Sequence, residues 1–113
     1  MKYVIAIIRP HKLEDVMREL DTEQVYLRTV SEVIGCGRQK GITEVYRGVK
    51  EAGNLLRKVK LEIAVNDNYL EPTINAIIRG AREEAIGDGK IFVLDLNECV
   101  RISTQERGGE AIG

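Results

Sequence analysis

Two glycine-bearing stretches carry the residues best suited to chemistry in this chain, and the chemistry they suit is the holding of anions. The first, from Gly35 to Lys60, reads GCGRQKGITEVYRGVKEAGNLLRKVK. It holds five of the eleven glycines (Gly35, Gly37, Gly41, Gly48 and Gly53) and seven basic residues (Arg38, Lys40, Arg47, Lys50, Arg57, Lys58 and Lys60), against two acids, Glu44 and Glu51. Its first third has no apolar spacing at helical or strand period, and glycine leaves backbone amides free to approach an anion closely. Unstructured connections of about 15 residues are uncommon in compact domains unless they are functional or disordered. The expectation is a long functional loop, about residues 37–55, on a rigid scaffold. The plainer alternative is a solvated basic loop with no ligand.

The second stretch, Ile86-Gly87-Asp88-Gly89-Lys90, stands between a helical and a strand pattern. There glycine amides and a lysine ammonium can hold phosphate oxygens, the amides as a backbone nest and the lysine as a point charge. A tight turn with an exposed lysine is the structural alternative. Taken with Arg38, Lys58 and Arg101, the two stretches offer several cations and many unhindered amides, which suits a polyphosphate better than a single carboxylate. The inference is a nucleotide. Gly35-Cys36-Gly37 resembles the start of a dinucleotide fingerprint by spacing, but no helical pattern follows it, so it is not read as a Rossmann turn. No Ser/His/Asp arrangement, paired catalytic carboxylates, Walker A lysine or nucleophilic cysteine is recognisable, so a binding protein is favoured over an enzyme.

Composition sets the outer limits. The 113 residues are expected to form a single domain, 1–113, with room for one modest core. The net charge of -1 and the pI near 5.9 argue against nucleic acid as a partner. No apolar run reaches the roughly 20 residues that span a bilayer, and Met1 opens no signal-peptide pattern, so a cytoplasmic protein is expected. Cys36 and Cys99 are too few and too far apart for a disulfide scaffold or a zinc site. His11, the single histidine, leaves no scheme that needs two.

The elements that must position these residues follow from periodicity. Tyr3 to Ile8 is a branched apolar run cut off by Pro10, a buried strand. Leu13, Val16, Met17 and Leu20 lie on one helical face, with Met17 read as core rather than ligand contact. Leu27 to Gly35 reads as a second strand, and Val59, Leu61, Ile63 and Val65 alternate strictly with Lys60, Glu62 and Ala64 in a third. Asp67 or Asn68 is expected to cap a helix with Pro72 in its first turn, a buried stripe of Leu70, Ile74, Ile77, Ile78 and Ala81, and an end near Gly80. Lys90 to Leu94 is the fourth strand, Val100 to Ile102 a short fifth, and the glycine-rich end a place for disorder. Strand, helix, strand, strand, helix, strand is the ferredoxin-like α+β order, with a four-stranded antiparallel sheet covered on one face. The other face stays apolar and bare, which predicts self-association with cyclic symmetry.

Five segments, Ala6-Ile7-Ile8-Arg9-Pro10, Gly37-Arg38-Gln39-Lys40-Gly41, Thr43-Glu44-Val45-Tyr46-Arg47-Gly48, Lys58-Val59-Lys60-Leu61-Glu62-Ile63 and Ile86-Gly87-Asp88-Gly89-Lys90-Ile91-Phe92-Val93, form a specific combination in this order. Through them the chain resembles, from end to end, the P-II signal-transduction family of nitrogen regulatory proteins. It implies a homotrimer of ferredoxin-like subunits with ATP or ADP in the clefts between neighbours. The implied nucleotide contacts are Ile7, Thr29, Gly35, Gly37, Arg38, Gln39, Glu62, Ala64, Gly87, Asp88, Gly89, Lys90 and Arg101. It further implies that 2-oxoglutarate binds with ATP and Mg2+ through Gln39, Lys40, Gly41, Lys58 and Gly87, with Gln39 on the metal. An oxygen ligand set of this kind suits magnesium. The long loop corresponds to the family's T-loop, whose Tyr46, Arg47 and Gly48 would meet targets such as an ammonium channel. Ligands can act on it only through differing affinity for its conformers.

Five positions depart from the family pattern. Glu51 stands in place of the tyrosine that many members have nucleotidylated, and Val49 in place of a serine that some have phosphorylated, so neither modification is available. Ser103 stands where a phosphate-binding arginine is usual. Glu83 and Glu84 precede the Gly87 turn in place of threonine and glycine, adding negative charge beside a polyphosphate site unless they pair or point away. The alternative readings are a nitrogenase-regulating member of the same family and a ferredoxin-like RNA-binding module. The latter displays sheet aromatics for base stacking, whereas this chain has one Phe, four Tyr and no suitable motif.

Overall fold

The computed structural model describes residues 1–36 and 55–113. Its central strand, β1 (Lys2–Ile8), ends at Arg9-Pro10, where the ring of Pro10 opens a short 3-10 turn over Pro10–Lys12 that leads into α1 (Leu13–Thr22). β2 (Thr29–Cys36) and β3 (Leu55–Val65) follow. A second 3-10 turn, Asp67–Tyr69, precedes α2 (Leu70–Ala81), and then come β4 (Lys90–Asp95) and a four-residue helix, α3 (Gly109–Ile112). The sheet order is β2-β3-β1-β4, antiparallel at every pairing. This is the ferredoxin-like arrangement.

Alternation along β1 and β3 decides which face is covered. Val4, Ala6 and Ile8 of β1 and Val59, Leu61, Ile63 and Val65 of β3 are buried with Val16 and Leu20 of α1 and Ala76, Ile77 and Ala81 of α2. The two helices meet at Gly80, where an added Cβ would lie 2.6 Å from Cα of Val16. The opposite face has no cover among the described residues. Tyr3, Ile5 and Ile7 lie there, with Phe92 paired to Ile5 and Leu94 to Tyr3, and Phe92 and Leu94 are half exposed.

Several expectations need correction. No side chain caps α2, because the Asp67 carboxylate instead accepts from the N-terminal ammonium of Met1 at 2.9 Å. The buried stripe of α2 runs through Thr73, Ala76, Ile77, Gly80 and Ala81, while Ile78 is 42% exposed; Thr73 enters the core because its hydroxyl donates to the Tyr69 carbonyl at 2.7 Å. Val100 to Ile102 is no strand: Val100 makes one isolated bridge with Arg107, and Ile102 is almost fully exposed. The glycine-rich end is ordered, folding back so that Ala111 is buried and the Asn66 side chain donates to the Gly109 carbonyl. β3 also starts earlier than its alternation, because Leu55 to Lys58 pair with Val33 to Cys36 beyond the core.

Candidate functional site

The bare face gathers much of what the sequence assigned. Because Val59, Leu61, Ile63 and Val65 point to the helices, Lys58, Lys60, Glu62 and Ala64 must lie on the other side. Register puts Ile7 opposite Lys60 and Lys90, Glu62 opposite Ile5 and Thr29, and Gly35 opposite Leu56, all on that face. Tyr3 donates its hydroxyl to Glu62, and that bond pushes the Tyr3 phenol above its usual range.

At one end of this face sits the turn that leads into β4. Gly87 and Gly89 have φ of 102° and 108°, a region open to glycine and strained for other residues. An added Cβ on Gly89 would lie 1.8 Å from the Ile7 carbonyl oxygen, so the turn rests directly on the backbone of β1. Neither the Gly87 nor the Gly89 amide donates a hydrogen bond among the described residues. The Gly87 carbonyl accepts from Lys58 Nζ at 3.2 Å and from Arg9 Nε at 3.0 Å. Free amides beside the Lys58 ammonium, with Lys90 next in the chain on the same face, form a cradle of positive potential.

Asp88 faces inward. Its Oδ2 accepts the Glu83 amide at 2.9 Å and the Ala85 amide at 3.3 Å, and the Glu83 amide is the main reason its carboxyl is held below the usual range. Oδ1 is buried without a hydrogen-bond partner, 3.8 Å from Arg9 Nε. The side chain thus shapes the turn. The two acids that looked unfavourable are paired: Glu84 lies 3.9 Å from Arg82, the partner expected for these acids, whereas Glu83 binds Arg9 and His11 instead, each at 2.9 Å. Sequence reading missed Arg9 and His11, which are 72 or more residues away from Glu83 along the chain.

Arg101 is not brought to the turn within the subunit. Its Nε is 3.1 Å from Glu106 Oε1 and its Nη2 donates to the Glu110 carbonyl at 3.2 Å, in a segment tied to Asn66 and Met1. That is the far end of β1, where Lys2 pairs with Val65 and Asp95, about 17 Å from Ile7 along the strand. Ser103 is exposed in the same segment. Gly37, Arg38, Gln39, Lys40, Gly41, Tyr46, Arg47 and Gly48 lie outside the described residues. Among the described residues no cluster of His, Cys, Asp and Glu could hold a metal ion, and no helix is long and apolar enough to cross a membrane.

Comparison with known proteins completes the description. A family profile described as "Nitrogen regulatory protein P-II" matches residues 1–106. "Nitrogen regulatory protein GlnK1" of Methanosarcina mazei is 55% identical over 114 residues, covering 99% of this chain and 97% of the relative. "Nitrogen regulatory protein P-II 2" of Methanothermobacter thermautotrophicus is 47% identical, covering 99% of this chain and 97% of its own length. "Nitrogen regulatory protein P-II" of Azospirillum brasilense is 47% identical, covering 99% of this chain and 100% of its own length.

Proposed function

We propose, because the chain belongs to the P-II family of nitrogen regulatory proteins, that it is a homotrimer binding ATP or ADP at the seams between subunits. Proteins of this family are regulatory signalling proteins rather than enzymes, and a role in nitrogen-metabolism signalling follows for this chain. The observation that carries the finer reading is the cradle itself: unused glycine amides at Gly87 and Gly89 beside Lys58 and Lys90, at the edge of a bare apolar face. Phosphates are the guests such a cradle fits. Arg101 stands at the opposite end of its own sheet, so it can join the cradle only from a neighbouring copy. A seam between subunits supplies that geometry and covers Phe92 and Leu94 as well.

With nucleotide held there, Gln39 would ligate Mg2+ and, with Lys40, Gly41, Gly87 and Lys58, receive 2-oxoglutarate. Lys58 is suited to a carboxylate because, among the described residues, its ammonium rests on a carbonyl oxygen, that of Gly87, and on no acid. The loop bearing Tyr46, Arg47 and Gly48 would then dock on a target such as an ammonium channel in ligand-dependent fashion, from the cytoplasm.

Titration calorimetry with ATP, ADP, and 2-oxoglutarate plus magnesium tests this reading. Saturable binding of a nucleotide supports it, and no heat from any nucleotide at millimolar concentration contradicts it. Lys58→Ala is expected to abolish the 2-oxoglutarate response with ATP binding largely kept; equal loss of both overturns the assignment of Lys58.

A further inference from the structure

The segment from Arg82 to Gly89 has no regular secondary structure of its own and carries Glu84 at φ 58°, a left-handed conformation unfavourable for a residue with a side chain. Such a turn persists only where its surroundings fix it. Asp88 fixes it from within through the Glu83 and Ala85 amides, and from outside the residue with the most contacts to it is Arg9, just after β1. Arg9 uses all three guanidinium nitrogens on it: Nε donates to the Gly87 carbonyl at 3.0 Å, Nη2 to the Ile86 carbonyl, and Nη1 to Glu83 Oε1 at 2.9 Å. The other Glu83 oxygen faces His11 Nε2 at 2.9 Å and Lys12 Nζ at 3.6 Å. The side chains of Arg9 and Glu83 are 23% and 29% exposed, which shields the pair from much of the solvent screening that weakens surface ion pairs.

We infer that Arg9 and Glu83 are positioning residues that latch the Gly87–Lys90 turn in its phosphate-receiving shape, with His11 and Lys12 holding Glu83 from the far side. Neither touches the phosphates. Arg9 occupies the Ile86 carbonyl, so the amide of the same trans peptide group, that of Gly87, stays turned away from it, and by holding the Gly87 carbonyl as well it fixes the path of the chain into Asp88 and Gly89. Glu83 in turn keeps the guanidinium from swinging toward the bound anion. A flat fork is needed to reach two carbonyls and a carboxylate at once, so lysine is a poor replacement for Arg9. This inference rests on the reading of the turn as a phosphate site.

The test compares the unaltered protein with Arg9→Gln, Arg9→Lys, Glu83→Gln and the exchanged pair Arg9→Glu/Glu83→Arg. Two quantities are measured: affinity for magnesium ATP by calorimetry, and amide hydrogen exchange across residues 83–89 without ligand. Arg9→Gln is expected to weaken ATP binding about tenfold and to speed exchange in the turn by a similar factor, with β1 and β3 protection unchanged. Arg9→Lys should recover part of the affinity, and Glu83→Gln should fall between Arg9→Lys and Arg9→Gln. The exchanged pair, which restores the ion pair but not the two carbonyl contacts, should not recover the affinity. If Arg9→Gln fails to fold, Arg9→Lys and Glu83→Gln carry the comparison. Unchanged exchange in the turn, or faster exchange with unchanged ATP affinity, overturns the latch. If the unaltered protein binds no nucleotide, the reading of the site fails, and the exchange data then judge the latch on its own.

Discussion

Gly89 shows how one residue type can be imposed by its neighbours. Its φ of 108° and the 1.8 Å approach of a hypothetical Cβ to the Ile7 carbonyl leave no room for alanine without moving the turn off β1. Gly89→Ala is therefore expected to cost about 3 kcal/mol of stability, read as a lowered Tm, together with loss of nucleotide affinity. A Tm within a degree of the unaltered protein would show that the turn relaxes freely. Asp88 has a pH signature. Backbone amides hold its folded carboxyl below the ordinary range, so its contribution is complete above the unfolded value near ~4 and is lost as pH falls through the folded one. Asp88→Asn, which keeps an acceptor oxygen, should flatten the acid limb of a plot of Tm against pH; an unchanged limb would remove Asp88 from the account. The Gly-Asp-Gly-Lys composition made the glycine-bearing turn between helix and strand legible. The inward pose of Asp88 and the Arg9–Glu83–His11 contacts were not, because a tertiary ion pair between residues more than seventy positions apart leaves no local pattern.

Gly80 plays the corresponding part between elements. Alanine in a helix interior is favoured over glycine by about 1 kcal/mol. Here its methyl would press on the backbone of Val16, so α1 and α2 would have to part. Gly80→Ala is expected to destabilise by about 1–3 kcal/mol in spite of its propensity, as checked by denaturant unfolding. A stabilised variant would mean that the helices shift without penalty. The elements themselves were readable wherever one face is buried: the strict alternation of Val59 to Val65 and the Val16–Leu20 spacing predicted β3 and α1. Reading failed where burial does not drive the pattern. Leu55 to Arg57 extend β3 through pairing with β2, Val100 and Ile102 are exposed apolar residues that mimic a strand, and the expected Asp67 cap was taken by the chain's own N-terminus.

At the scale of the whole molecule, the bare sheet face and the distance between Arg101 and the Gly87 turn, the two parts of the proposed site, ask for the same remedy. Tyr3, Ile5, Phe92 and Leu94 form an apolar surface that helices on the other side cannot reach, and each large apolar side chain removed from water contributes about 1.5–3 kcal/mol. Phe92→Glu is expected to leave the subunit folded, by circular dichroism, while dissociating the assembly. Self-association was expected from two-sided apolar strands, and the exposed Phe92 and Leu94 are the feature that expectation rests on, but no single-chain pattern could reveal that Arg101 and the Gly87 turn stand at opposite ends of one sheet.

Sedimentation velocity followed at nucleotide absorbance, on the unaltered protein and on Phe92→Glu, tests the seam directly. ATP should travel with a trimer at about one molecule per chain and should not travel with the dissociated variant. ATP moving with single subunits of Phe92→Glu at undiminished affinity would contradict a site shared between copies.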